Sequence, residues 1–196
     1  MDVMRQDFID AGFATAITGR GHIDILINNA ALFSASPIAE ITRTDYDKLF
    51  AVNFSGTLFC LQAAARHMIA RGQGGRIINM ASQAGRRGEG LGAVYCASKA
   101  AVISLTQNAD LALIPHKINV NAIAPGVVDG LLVYAFVARY EGKAPGQKKQ
   151  EVGAAMPFGR MGTAQDLIGM AIFLATPKAE YIVAQTFGVD GGNWMA

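Results

Sequence analysis

"VYCASKAAVISLTQNADLALIPHKINVNAIAPG", residues 94–126, holds a helix and a strand in direct succession. From Val94 to Leu113 no glycine or proline interrupts the chain, and Pro115 then stops it. A short, largely apolar run follows from Lys117 and ends at Pro125–Gly126. Such a run, bounded by turn residues, reads as a strand buried on both faces.

The same alternation extends outward. "GRIINMAS" (75–82) is a strand before this helix. Before it, "TRTDYDKLFAVNFSGTLFCLQAAARHMIARG" (42–72) reads as a long helix, with Thr42 or Thr44 as cap and Gly72 as stop. "HIDILINN" (22–29) is a strand, and "DFIDAGFATAI" (7–17) carries its apolar residues near a 3.6-residue period. Toward the carboxyl end, 127–157 reads as irregular. "TAQDLIGMAIFLAT" (163–176) is a helix capped by Thr163, and "TFGVDGG" (186–192) is a last strand and turn. Helices alternating with short apolar strands predict an α/β fold with an open, doubly wound parallel sheet. Ligands bind such sheets at the carboxyl ends of the strands. Asn28, Asn29, Ser82 and Pro125–Gly126 fall there.

Bulk properties limit the function classes. The 196 residues suffice for one domain with a sizeable core. A net charge of +2 gives no electrostatic footprint for nucleic acid. No apolar run approaches the ~18 residues of a membrane span. The polar start "MDVMRQDFID" is not a secretory signal, so a cytoplasmic location is expected. Cys60 and Cys96 lack metal-ligand spacing and read as free thiols. His22, His67 and His116 are scattered and read as surface residues.

Tyr95 and Lys99, four apart, share one helical face. Alone, such a pair is usually surface packing. Beside a strand end it gains a chemical meaning, because an ammonium favours the phenolate and should lower the phenol pKa from about 10. The tyrosine can then exchange a proton with an alcohol or carbonyl. Ser82, otherwise a turn residue, can bond the same oxygen. Asn53 in "AVNFSG", otherwise a buried amide or kink residue, can hold a water or a backbone carbonyl and relay protons from Lys99.

"NNAA", "VNFSG", Ser82 after "INMA", "YCASK", "NVNAIAPG" and "VDGG" follow one another in this order over the whole chain. In combination they resemble the short-chain dehydrogenase/reductase family, and the stretches "INMASQAGRRGE", "PFGRMG" and "VAQTFGVDGGNWM" resemble most its bacterial sorbitol (polyol) dehydrogenases. The resemblance implies a Rossmann-like fold and hydride transfer between a polyol, such as sorbitol, and NAD, giving a ketose such as fructose. Tyr95 would be the general acid/base and Lys99 its partner, also binding the nicotinamide ribose. Ser82 would orient the substrate oxygen and Asn53 would complete the relay. Asn29 would line the cofactor cleft. Val128, past Pro125 and Gly126, would meet the carboxamide through its backbone. Asp2 and Val3 match the pair that meets the adenine ring. Residues 127–157 would form a lid. The helices 43–71 and 93–113 would build a homodimer or homotetramer interface.

The family's sheet opens with a strand, a glycine-rich turn and a helix that cradle the pyrophosphate. "TGRGHID" (18–24) and "GQGG" (72–75) precede strands, and "GRRGEGLG" (85–92) lacks the dinucleotide spacing. The first two βαβ steps, roughly 60 residues at ~30 per unit, are therefore expected to be missing from the single catalytic domain 1–196. The residue that selects NAD over NADP would be missing with them. "IDILIN" would be left as an open edge, and this chain by itself would bind NAD poorly and turn over little. Ala31 and Ala184 stand where many relatives have glycine, and the apolar "LLVYAFVARYEG" suits a polyol lid badly. Two alternatives follow from these departures: a dehydrogenase for another alcohol or ketone, and an inactive subunit that pairs with a full-length relative. Arg86, Arg87 and Glu89 read as a solvated charge run, and Trp194 as a subunit contact.

Overall fold

The computed structural model describes residues 1–130 and 133–195. The chain opens with α1 (Gln6–Arg20) and continues through β1 (Ile25–Asn28), α2 (Arg43–Phe50) and α3 (Thr57–Arg71). β2 (Gly75–Met80), α4 (Ala93–Leu113) and β3 (Ile118–Pro125) follow. Then come α5 (Val133–Glu141), α6 (Pro145–Ala154), α7 (Ala164–Ala175) and β4 (Thr186–Val189). All strand pairs are parallel, in the order β1-β2-β3-β4.

Alternation along the strands divides the core into two layers. Ile77, Ile118 and Val120 point to one face, where Ile9 and Phe13 of α1 and Leu61, Ala64 and Met68 of α3 cover them. Ala122 and Ala124 continue that layer against Val102 of α4. Ile78 and Ile123 point to the other face, against Leu174 of α7. α7 packs on β2, β3 and β4. Ile25 and Ile27 of β1, on the α7 side, remain 45 % and 47 % exposed. Among the described residues no strand pairs with the outer edge of β1, so it is the open apolar edge the sequence predicted.

The helix expected over 42–72 is continuous but not uniform. Thr42 caps α2 by accepting the Asp45 N–H at 3.1 Å, and Gly72 terminates α3. Between them Ala51–Gly56 is a π-helical turn that carries Asn53. Single π turns of this kind recur at functional sites.

The irregular reading of 127–157 is corrected: α5 and α6 occupy much of it. Pro145 misled it. Proline reads as a breaker, yet here it stands in the first turn of α6, where its missing N–H costs nothing. Leu131 and Leu132 of the apolar stretch lie outside the described residues.

Asp110, near the end of α4, is fully buried. It accepts the Val120 N–H, which points toward the β4 side before β4 begins to pair at Ala122. Its Oδ2 finds no partner among the described residues, and burial raises the carboxyl pKa. An acid whose pKa is raised on folding holds its proton more tightly when folded. Stability therefore falls as pH rises through and above the usual carboxylate range. We expect Asp110→Asn to abolish this slope, so that urea midpoints of variant and wild type diverge with rising pH in the variant's favour. Parallel urea titrations from acid to neutral pH would check this.

Candidate active site

Ser82 lies two residues past Met80, and Pro125 two past Ile123, the partner of Met80 in the sheet. Both therefore sit at the carboxyl edge. Ser82 is buried, and its Oγ accepts the Ala84 N–H at 3.1 Å, which starts the short turn Gln83–Gly85. This turn lies directly on α4. A Cβ on Gly85 would stand 2.7 Å from the Lys99 carbonyl carbon, so no larger residue fits without displacing the backbone. The close approach brings Ser82 beside the Tyr95 side chain, near enough to act on the titration of its hydroxyl.

Lys99 is 3 % exposed, and its Nζ lies 5.8 Å from the Tyr95 ring centroid. Nζ donates to the Met80 carbonyl at 2.7 Å. Successive strand residues turn their carbonyls to opposite neighbours, and β1 ends at Asn28, opposite Asn79. The Met80 carbonyl thus projects past the end of β1, and the ammonium satisfies it. Burial lowers the Lys99 pKa to about 8. Burial also raises the Tyr95 pKa, and Ser82 only partly offsets this. The lowered tyrosine pKa expected from the sequence is therefore not what this structure shows. The ammonium is turned to Met80, and the low-polarity surroundings penalise the phenolate first.

Asn53 is 1 % exposed. Its Oδ1 accepts the Leu32 N–H at 2.7 Å, and its Nδ2 donates to the Leu32 carbonyl at 2.9 Å and to Ser98 Oγ at 3.0 Å. Ser98 in turn donates to the Tyr95 carbonyl at 2.8 Å. Sequence reasoning passed over Ser98. Its signal was a small hydroxyl one position before Lys99, on the helix side that carries Val102. Phe33, just after Leu32, meets the Tyr95 ring edge-on at 4.9 Å. One network thus ties the loop after β1, the π turn and α4 together.

A second network was also missed. Buried Asn28 donates to Asn79 at 2.9 Å, and Asn79 donates to Thr106 at 3.0 Å. Asn29, its exposed neighbour, stands free of this network at the strand end. Val3 packs against Gly56, where a Cβ would come within 2.7 Å of it, and Asp2 accepts the Met4 N–H at 2.9 Å. Val3 thus borders the π turn. Val128 bridges to Gly162. The bonds of that bridge run through Val127 and Asp129, and among the described residues the N–H and carbonyl of Val128 have no partner. Gly126 lies against Asp190, 2.6 Å from where its Cβ would be.

A cleft of about 200 Å³ opens beside Val94. Ser34, Ser36, Asp45 and Arg139 give it polar walls, and Ile41 and Leu91 give it apolar ones. The run 86–89 is largely exposed, as the sequence predicted, yet its charges are engaged. Arg86 donates to the Thr186 carbonyl, and Arg87 pairs with Glu89 at 2.7 Å. Among the described residues no cluster of His, Cys, Asp or Glu could hold a metal, and no helix is long and apolar enough to cross a membrane.

The family described as "Enoyl-(Acyl carrier protein) reductase" matches residues 1–193. A sorbitol dehydrogenase of Cereibacter sphaeroides is 67 % identical over the whole chain, which covers 78 % of that protein. The chain belongs to the short-chain dehydrogenase/reductase family. A galactitol 2-dehydrogenase of Agrobacterium fabrum is 53 % identical with the same coverage. Among solved short-chain dehydrogenase structures, an NAD+-bound xylitol dehydrogenase superposes with a TM-score of 0.91 at 28 % identity, over 97 % of this chain and 76 % of that one. The parallel sheet with its helical layers is accordingly the family's Rossmann-like fold.

Proposed function

We propose that this protein oxidises a secondary alcohol of a sugar alcohol, sorbitol or a close polyol, to the ketone with NAD as acceptor. The observation that carries the reading is the seating of the Ser82 turn on α4, which sets Ser82 with Tyr95 and buried Lys99 at the carboxyl edge of the sheet. The names of the sorbitol, galactitol and xylitol dehydrogenases support the substrate class.

The residues present suit the nicotinamide half of the cofactor. The N–H and carbonyl of Val128, without a partner among the described residues, would suit a carboxamide, which needs one donor and one acceptor. Lys99 spends one N–H bond on Met80 and keeps two for a ribose. Asn29, Pro125 and Gly126 would border the same cleft, and Asp2 and Val3 the adenine. When bound, NAD accepts the hydride. The chain's own residues handle the proton. Ser82 Oγ and the Tyr95 hydroxyl would hold the alcohol oxygen between them, and Tyr95 would take its proton. The charge of Lys99 would favour the phenolate as it forms, and the proton would leave by Lys99 and water past Asn53. The cleft beside Val94, with two serines, Asp45 and Arg139, would bind the remaining hydroxyls under a lid formed by 127–157. Exposed Tyr46, Phe59, Ile69 and Leu111 on the long helices support a homodimer or homotetramer built there.

The test is a substrate panel of sorbitol, galactitol, xylitol and 2,3-butanediol with NAD or NADP, followed by absorbance of the reduced nicotinamide. Turnover of a polyol with NAD is expected. Oxidation of butanediol with no polyol turnover would sink the polyol assignment. The glycine clusters at 18–24 and 72–75 precede strands and 85–92 lacks the dinucleotide spacing, so cofactor binding by this chain by itself is expected to be weak. The outer edge of β1, unpaired among the described residues, favours a second reading, a subunit without turnover of its own that pairs with a longer relative. Co-purification with such a relative and inactivity across the panel would support it.

A further inference from the structure

We infer that the carboxyl-terminal turn Asp190–Trp194 is a latch that fixes the turn bearing Ser82, with Gln83, Arg87 and Asn193 as positioning residues. The inference deepens the dehydrogenase reading given above.

Three contacts close the latch. Asn193 Nδ2 donates to Gln83 Oε1 at 3.0 Å, and Gln83, next to Ser82, is only 5 % exposed. Arg87 donates to the Asn193 carbonyl at 3.4 Å. Its guanidinium also lies 5.7 Å from the Trp194 ring centroid, and its Nε pairs with Glu89 at 2.7 Å. The polypeptide reaches this position through a tight reversal. Asp190 accepts the Gly192 N–H through its side chain and the Asn193 N–H through its carbonyl. Gly191 and Gly192 have φ of 64° and 81°, a conformation that side chains resist. A Cβ on Gly191 would also come within 3.0 Å of Phe158.

The turn is also seated on α4 through Gly85 and tied to Thr186 through Arg86, so the latch adds a third hold, beside Gln83. The turn's own bonds are short-range: Ala84 to Ser82 Oγ, Gly85 to the Ser82 carbonyl and Arg86 to the Gln83 carbonyl. A turn of this length has little cooperative stability. The placement of Ser82 beside Tyr95 would therefore depend in part on a segment about 110 residues downstream in sequence (Gln83 to Asn193 spans 110).

Amide hydrogen exchange of the purified chain tests this, with emission from Trp194, the single tryptophan, as a second reporter. In Asn193→Ala and in Gln83→Met, which keeps the buried volume, exchange at Ala84, Gly85 and Arg86 should rise by about tenfold, and Ile77 and Val120 should keep wild-type rates. Trp194 emission should shift to the red. If Asn193→Ala loses protection at Ile77 and Val120 as well, Gln83→Met decides. Unchanged exchange at 84–86 in Gln83→Met overturns the latch, whatever Trp194 does. In the polyol assay the same variants should lose kcat with KM held; unchanged kcat despite faster exchange would overturn the positioning role. Absence of wild-type turnover would overturn the dehydrogenase reading and leave the exchange result to judge the latch.

Discussion

Tyr95→Phe is expected to lower kcat for polyol oxidation by about 10²–10⁴-fold, the range for losing a positioned acid–base group. KM for the polyol should change little, because the phenyl ring keeps its edge-on packing against Phe33 and the shape of the cleft. What disappears is the hydroxyl that sits beside Ser82 and takes the alcohol proton. The pH profile adds a second check. Burial raises the phenol pKa, so the phenolate needed for oxidation grows with pH. Oxidation by the wild type should accelerate through the alkaline range, and carbonyl reduction, which needs the phenol protonated, should slow there. Steady-state rates in both directions across pH measure this. A Tyr95→Phe variant within a few-fold of wild type would remove Tyr95 from the chemistry.

The second large effect concerns Lys99 and stability. Its ammonium is nearly solvent-free, with the Met80 carbonyl as its hydrogen-bond acceptor. The pKa falls from the usual 10.5 to about 8, a difference of roughly 3 kcal/mol at 1.36 kcal/mol per unit. For a base with a depressed pKa, the unfolded chain binds the proton more tightly than the folded one between these two values. Stability contributed by Lys99 therefore rises with pH from about 8 to 10.5 and is flat below about 8. Lys99→Met removes this titration. Subtracting the variant's unfolding free energy from the wild type's should leave a difference that is constant below pH 8. Above that it should climb by roughly 3 kcal/mol in the wild type's favour up to the usual lysine pKa. Urea denaturation of both proteins over this range measures it. A pH-independent difference would mean that Lys99 titrates normally and is not held in a desolvated position. The same variant should lose turnover, since it removes the charge beside Tyr95.

Both effects come from one arrangement. Lys99 satisfies a carbonyl that projects beyond the end of β1, and this places a charge beside the phenol. The site is thus coupled to where a strand stops. The Ser82 turn shows the same dependence, since Gly85 must clear the backbone of α4.

Several features were legible in the amino-acid sequence because they rest on local rules. Pro115, Gly72, Thr42 and Thr163 bound the helices where capping and breaking chemistry places them. The apolar runs at 75–80 and 118–125 became inner parallel strands because burial on both faces accommodates them, and 25–28 became the edge strand, with Ile25 and Ile27 half-exposed. The ordered motifs carried the family and the four candidate catalytic positions. Local rules failed at Pro145, where the same residue can end a helix or begin one. They also failed for the direction of the Tyr95 pKa. Spacing puts an ammonium near a phenol, but only the packed structure decides how far each is desolvated and which acceptor the ammonium takes. The bonds from Asn53 to Leu32 and Ser98, from Asn79 to Thr106 and from Gln83 to Asn193 lie equally beyond sequence patterns. They join residues 21 to 110 positions apart through side chains whose partners are chosen by packing. Outside 127–157 the sequence alone determined the main elements, their order and the chemistry available at the strand ends. The tertiary structure decided which of those groups touch and how buried they are, because desolvation and long-range hydrogen bonds arise only when distant segments close on one another.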